Sequence, residues 1–466
     1  MELPEVTTEA EVMSSLICQL CACNDVTVDC KNKDIKAPFD LTDWDGLLNF
    51  NPETVDLSHN PLKALTRISN ITTLKYLNAS HCQIDSIEYA TFSYLKNLEV
   101  LDLSNNQLTS SSVNRRVFVG LLDLKVGILP YPKLRYLSLA NNDIHSLSQY
   151  IFAFMTSLTT LDLSGNPLGY IDQVTMGSIT DLEDLKELNL SGCKLDSLPE
   201  GIFRRHRRLR RLDLSNNKFT TVPPSLGEAV NLEFLDFGKN LIEILNGTNS
   251  ITKLKSLKEL RLSRMPKLQT IANGGLSGLA DLEVLDLSYN PKLTVLEDEF
   301  LGWIDEDTEQ EVWPAIRELY LNNNNLSLVY SGYLERWDIL SRVDLSNNPY
   351  TCECSNQWLV DVFVPMLASS ESNVTLGNMI CKKPKEMKGI SILQLHNASK
   401  ELPCPESQNL MEMPVPDMAI LLGIMIGIFV TFPMVLIVIL LWRRGSFARC
   451  RSRRIESDSD EETDAF

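Results

Sequence analysis

Four cysteines fall within thirteen residues near the start of this 466-residue chain: Cys18, Cys21, Cys23 and Cys30, in ICQLCACNDVTVDC. A second group, Cys352, Cys354, Cys381 and Cys404, lies towards the other end. Thiols this close can bind zinc, crosslink as disulfides or carry out redox chemistry, and the C-x2-C and C-x-C spacings are compatible with thiolate ligation. The compartment decides between them. No other constellation suggests catalysis. None of the five histidines (His59, His81, His145, His206 and His396) has a metal-ligand partner at helical spacing. There is no G-x-S-x-G elbow and no phosphate-binding glycine loop. The chain is expected to be no enzyme and to hold no cofactor or metal.

Charge and hydropathy address the compartment. A net charge of −18 makes nucleic acid an unexpected partner. Met418 to Trp442 runs 25 residues without a charge, a helix about 38 Å long that would cross a ~30 Å hydrocarbon core with some tilt. Arg443, Arg444, Arg449, Arg451, Arg453 and Arg454 follow it, which places the C-terminus in the cytoplasm and residues 1–417 outside a plasma membrane. Gly423-x-x-x-Gly427 permits close helix approach and a homodimer. The opening MELPEVTTEAEVMSSL has neither a basic start nor an apolar centre, so the export signal is expected to lie outside this sequence. Export, with an even number of cysteines in each group, favours disulfides over zinc.

The region between the cysteine groups repeats itself. LEVLDLSNNQL (Leu98–Leu108), LRRLDLSNNKF (Leu209–Phe219) and LEFLDFGKNLI (Leu232–Ile242) are three of twelve copies of L-x-x-L-x-L-x-x-N-x-L. Spacing is usually 22 to 27 residues, stretching to 36 between Asn106 and Asn142 and to 34 between Asn290 and Asn324. The L-x-L alternation is a short strand with leucines inward. One copy cannot bury its leucine face alone, so neighbours must stack into a parallel sheet over a continuous core. Asn stands where the chain leaves the strand in nine copies, and an inward amide there can donate to backbone carbonyls otherwise buried unpaired. Cys82 and Cys193 take that place in two copies and are expected as free thiols; Met265, in the ninth, cannot donate.

The pattern resembles the leucine-rich repeat family, which implies an α/β solenoid: a horseshoe with a curved parallel sheet. The cysteine groups resemble the N- and C-terminal caps of extracellular members, and each end of such a stack needs covering. That resemblance implies the pairs Cys18–Cys23, Cys21–Cys30, Cys352–Cys381 and Cys354–Cys404. The expected organisation is an N-terminal extension (1–17), an N-terminal cap (18–50), twelve repeats (51–350), a C-terminal cap (351–404), a stalk (405–417), the membrane helix (418–442) and a short tail (443–466). In architecture the chain is similar to short-tailed cell-surface proteins of the Capricious, Tartan and Connectin type. This implies a recognition or adhesion receptor for an extracellular protein ligand or another cell-surface receptor. A ligand-binding accessory or decoy receptor acting beside a signalling partner is the alternative.

N-x-S/T sequons mark Asn70, Asn78, Asn189, Asn246, Asn325, Asn373 and Asn397 for glycosylation. Asn78 and Asn189 fall between inward residues of a strand and should project from the concave face. A partner is then expected on repeats eight to eleven, away from both, at the outward residues Phe234, Asp236, Arg261, Val284, Asp286 and Tyr320. Val100, Asp102 and Tyr136 lie between the two sequons. The basic run RRHRRLRR (Arg204–Arg211) reads as a solvated loop or, alternatively, an anionic contact. The acidic insertion at Glu297–Glu299 and Asp305–Glu311, with Trp303 and Trp313 nearby, reads as a solvated loop without a recognised calcium-ligand spacing.

Overall fold

The computed structural model describes residues 15–48, 50–120, 122–125, 127–128, 131–304, 309–333, 339–368, 378–404, 434–440 and 442. Described residues up to Leu402 form one compact unit; of the second unit, 403–466, only Pro403, Cys404, 434–440 and 442 are described, 434–440 as helix. Among the described residues no helix is long and apolar enough to cross a membrane. Most of the 418–442 segment lies outside them, as do residues 1–14, the stalk from 405, the tail, Asn373 and Cys450.

The repeats build a solenoid around a 14-stranded sheet, whose first two strands are a cap hairpin and whose other twelve come one from each repeat. All twelve run parallel in matched register, as in Leu188↔Leu212↔Leu235↔Leu260. These leucines are at most 2% exposed, and the core continues from Ile17 to Leu402. Behind the sheet, phenylalanines stack between turns, as Phe92 on Phe118 at 5.8 Å and Phe219 on Phe237 at 5.2 Å. Each buried aromatic fills a wide span that the short backbone connection leaves open.

The ladder amides hold the strand exits. Asn106 donates from Nδ2 to the carbonyls of Ala79 (2.9 Å) in the previous repeat and Leu103 (2.9 Å) in its own. Its Oδ1 accepts from the N–H groups of Cys82 (2.9 Å) and Ile84 (3.1 Å). Cys82 and Cys193 are free and buried, with Sγ against the carbonyls of Leu57 (3.1 Å) and Leu163 (3.2 Å). Burial pushes these thiols up, Cys82 to about 11 and Cys193 to about 12. Met265 contributes only its backbone N–H, donated to Asn290 Oδ1 at 2.7 Å. The residue before each ladder position turns the chain in the left-handed region; Asn105, Asn141, Asn216 and Asn323 do so at φ 51 to 58°. Asn tolerates that conformation better than most side chains.

A row of charges borders the sheet one residue before the strands. Lys75 pairs with Glu53 (2.8 Å), Arg210 and Lys258 both with Glu233 (3.1 and 3.0 Å), and Arg317 with Glu283 (3.6 Å). The signs alternate from Glu53 to Arg135 and again from Arg210 to Arg317, where residues on neighbouring strands face each other directly; Thr159 and the like-charged Lys186 and Arg210 interrupt the row.

Disulfides close the ends. Cys18 is bonded to Cys23 and Cys21 to Cys30, around a hairpin of Ala22–Cys23 and Thr27–Asp29. Asn24 Oδ1 turns it by accepting from Val26 (3.0 Å) and Thr27 (2.9 Å). Thr27–Asp29 pairs with the first repeat strand, so the hairpin occupies what would be an open edge. At the other end Cys352 is bonded to Cys381, linking Tyr350–Thr351 to Cys381–Lys383, and Cys354 and Cys404 are also disulfide-bonded.

Both long repeats spend their surplus on hairpins. Leu122–Asp123 pairs antiparallel with Gly127–Ile128, and Trp303–Ile304 with Glu311–Val312. The acidic insertion is therefore a β-arm rather than an open loop, seated by Trp313 against Tyr333 at 6.2 Å; its residues 305–308 lie outside the described set.

Two outcomes test this frame. Asn290→Ala removes bonds to the carbonyls of Leu262 and Leu287 and to the N–H of Met265, in the stretch where Met265 supplies no side-chain donor. It should cost about 1–3 kcal/mol per buried group left unpaired, read as faster amide exchange centred on repeats nine and ten. Cys82 and Cys193 should resist alkylation at pH 8 in the folded chain and react fully in denaturant; mass spectrometry of labelled peptides reads this directly.

Candidate functional site

Two columns of side chains stand on the exposed face of the sheet, one at the start and one at the end of each strand. The end column is occupied by the backbone. Asp102, Asp162, Asp213, Asp236 and Asp286 each accept from the N–H two residues on, at 2.9 Å. Asn78 and Asn189 make the same contact with Ser80 and Ser191 at 3.0 Å. These side chains set the bend at the strand exit, which is why Asp, Asn or Ser fills most of the column; Arg261 and Tyr320 take that place in repeats nine and eleven. The start column has no such duty and varies freely: Tyr136, Thr160, Glu187, Arg211, Phe234, Glu259, Val284 and Glu318.

One shallow depression of about 370 Å³ is set into this face, from Tyr136 to Arg261 across six neighbouring strands. Phe234 lines it and is only 8% exposed. Guanidinium groups cover the ring from both sides, Arg211 at 3.9 Å and Arg261 at 5.1 Å from its centroid. Arg261 is tied to Glu259, with Nε donating to Oε1 at 2.7 Å. Arg211 makes no ion pair among the described residues and is exposed. Asp162, Glu187 and Asp213 line the same depression. The result is one unpaired, aromatic-backed guanidinium in an acidic field, suited to a partner's carboxylate flanked by cations.

Of the residues expected to meet a partner, Phe234, Asp236 and Arg261 lie in the depression, but Phe234 is a buried platform rather than a projecting anchor. Val284, Asp286 and Tyr320 stand outside it; Asp286 is held by Ser288, and Tyr320 donates from its hydroxyl to Glu318 at 2.8 Å. Tyr136 and Asn189, expected to lie apart from the contact, line it. Arg211 was not among the expected residues because it reads as part of the basic run, although it occupies the same strand position as Phe234 in the next repeat.

Neighbouring repeats neutralise most of that run. Arg204 pairs with Glu228 (3.1 Å), Arg205 with Glu183, Arg208 with Asp184 (2.8 Å) and Arg210 with Glu233 (3.1 Å). His206 is buried, its Nε2 3.1 Å from the carbonyl of Ile179, and burial lowers its pKa. Among the sequons, Asn70, Asn246, Asn325 and Asn397 are exposed, whereas Asn78 and Asn189 are half-buried on the sheet face.

Burial raises the Asp236 carboxyl above its ordinary value of 3.8; the Gly238 N–H opposes this and Asp213 adds to it. As pH rises, the unfolded chain loses this proton first, so the ionised carboxylate destabilises the fold above the folded pKa. Asp236→Asn keeps the bond to Gly238 and should raise the unfolding midpoint at pH 7. The gain should vanish below the unfolded value, which a pair of denaturation series against pH would reveal.

Comparison with known proteins follows this geometry. The leucine rich repeat family model matches residues 72–126, 132–195 and 183–242. Podocan of Mus musculus is 28% identical over 302 residues, 58% of this chain and 46% of podocan. Lumican of Rattus norvegicus is 31% identical over 202 residues, 41% of this chain and 58% of lumican. The transforming growth factor beta activator LRRC33 of Danio rerio is 26% identical over 275 residues, 56% of this chain and 38% of that protein. The chain thus spans about half the length of the podocan it matches. In fold it resembles the crystal structure of a TLR13–ssRNA13 complex, with a TM-score of 0.52 at 23% identity, over 75% of this chain and 54% of that one. Repeat ladder, parallel sheet and capping disulfides, together with these matches, give the chain a leucine-rich repeat fold with an N-terminal cysteine cap.

Proposed function

We propose that this chain is a cell-surface recognition receptor that binds a protein partner on the sheet face around Arg211. The carrying observation is the Arg211 guanidinium, without an ion pair among the described residues, stacked on Phe234 in a depression that Asp162, Glu187 and Asp213 also line. Arginine backed by an aromatic platform is a frequent binding hot spot, and the acidic surroundings select a partner that brings Lys or Arg beside its own carboxylate. Binding rather than catalysis is the reading, since no nucleophile–base arrangement emerges among the described residues. The uncharged 418–442 segment supports anchoring at the plasma membrane with the repeats outside. Adhesion of the Capricious, Tartan and Connectin type is the first reading; the likeness to a transforming growth factor beta activator favours a ligand-binding accessory role as the second. Aggregation of non-adherent cells expressing the chain supports the first, and ligand-dependent co-purification with a signalling receptor the second.

Arg211→Ala should weaken partner binding about thirtyfold, equivalent to about 2 kcal/mol, without loss of fold. Tyr136→Ala should also weaken it, and Tyr320→Ala should not. Phe234→Ala is less informative, because truncating a buried aromatic costs about 3–5 kcal/mol of stability. A glycan on Asn189 would stand in the depression, so Asn189→Gln should leave binding intact or strengthen it. Titration of cells bearing the Arg211, Tyr136, Tyr320 and Asn189 variants measures these effects; loss confined to Tyr320→Ala would move the site beyond repeat ten.

A further inference from the structure

A recess of about 420 Å³ lies on the flank where the last repeats meet the C-terminal cap. Its floor consists of the ladder residues Asn324 and Asn348, whose amides are fully engaged. Asn324 Nδ2 donates to Leu287 (2.9 Å) and Leu321 (2.8 Å), and Asn348 Nδ2 to Leu321 (2.8 Å) and Leu345 (3.1 Å). The walls differ. Asn325, Asn347 and Asn378 are exposed, and their side-chain amides make no hydrogen bond among the described residues. Between them Pro349 and Ile380, the latter 39% exposed, present apolar surface, and Lys382 brings one charge.

Each free amide offers two donors and two acceptor lone pairs. Two such groups, Asn347 and Asn378, beside an apolar plate suit a neutral ligand rich in hydroxyl and acetamido groups. An anion would require more positive charge and a hydrocarbon fewer polar walls. The space far exceeds the ~30 Å³ share of one water molecule and accommodates sugar rings. One wall residue, Asn325, is also the acceptor of the sequon Asn325-Leu326-Ser327.

We propose that this recess docks the chain's own N-linked glycan, the first N-acetylglucosamine on Asn325 packing on Ile380 and Pro349 and engaging the amides of Asn347 and Asn378. The proposal rests on the extracellular reading of the chain. Attachment joins Nδ2 of Asn325 to the anomeric carbon of a lipid-pyrophosphate-linked oligosaccharide. The bond from that carbon to pyrophosphate breaks, the pyrophosphate leaves with its electron pair, and the amide gives up one proton. The covalent tether then raises the effective concentration to the millimolar range, so weak contacts suffice. Because only the folded cap forms the recess, docking stabilises it. The glycan thereby reinforces a junction whose backbone contacts include the Asn347 N–H to the Asn378 carbonyl at 3.0 Å.

The test uses the full chain from a secretory host, with glycans trimmed to a single N-acetylglucosamine per site. Ser327→Ala removes the Asn325 sugar without touching the recess walls; Ser327 is exposed, and its backbone carbonyl still accepts from Asn356 at 2.9 Å. Exchange of amides between 378 and 392 should rise at least fivefold in Ser327→Ala, and Tm should fall by about 2 °C. Ile380→Ala should reproduce the rise in the glycosylated chain and add nothing in the Ser327→Ala background. Occupied Asn325 with unchanged exchange in Ser327→Ala overturns the proposal alone, as does an empty Asn325 beside other occupied sequons. A chain with no occupied sequon overturns the extracellular reading and this proposal together.

Discussion

A buried amide at the exit of each strand is the interaction on which the solenoid depends. The backbone turns sharply there, and its carbonyls face an apolar interior where an unpaired oxygen is costly. The Asn side chain answers carbonyls in two repeats with one nitrogen while its oxygen accepts from the preceding turn, so each amide also sets the distance between neighbours. Cys82 and Cys193 occupy the same niche with a weaker donor. Their burial keeps them as thiols, and the redox chemistry that cysteine can offer is suppressed by the same environment that makes them useful structurally.

This device divides the sheet face into two columns with different freedoms. At most strand ends Asp or Asn is committed to bending the backbone, and their repetition reflects that task; Arg261 and Tyr320 are exceptions. The strand starts are released from it, and chemical variety collects there: Tyr136, Glu187, Arg211, Phe234 and Glu259 lie within six consecutive strands. A regular scaffold thus presents an irregular surface, most of whose chemical variety lies in the column that the fold leaves alone.

Leucine spacing, ladder residues and two cysteine groups were legible in the sequence because each is a local pattern whose physical cause acts over a few residues. The surplus length of two repeats was equally visible, but not its folding into hairpins, since Trp313 is seated by Tyr333 from another turn. The site was partly legible. Phe234 was recognisable as outward-facing, yet its burial comes from Arg211 and Arg261, each more than twenty residues away in the chain. Likewise the run Arg204–Arg211 read as one basic patch. Stacking splits it between a flank where acidic neighbours neutralise it and a face where Arg211 stays free. Contacts between turns decide such outcomes, and a single repeat read alone does not contain them.

The row of charges bordering the strands carries a further consequence for how such an array can change in length. From Arg210 onward the signs run plus, minus, plus, minus, plus through Glu233, Lys258, Glu283 and Arg317. Excising one repeat from this stretch would join like charges across adjacent strands, Arg210 beside Lys258 or Glu233 beside Glu283, whereas excising two restores an opposite pair. Each contact is weak at a solvated edge. Their order nonetheless makes the even step the smoother one: by its border, though not by its core, this stretch of the solenoid is a polymer of dimers.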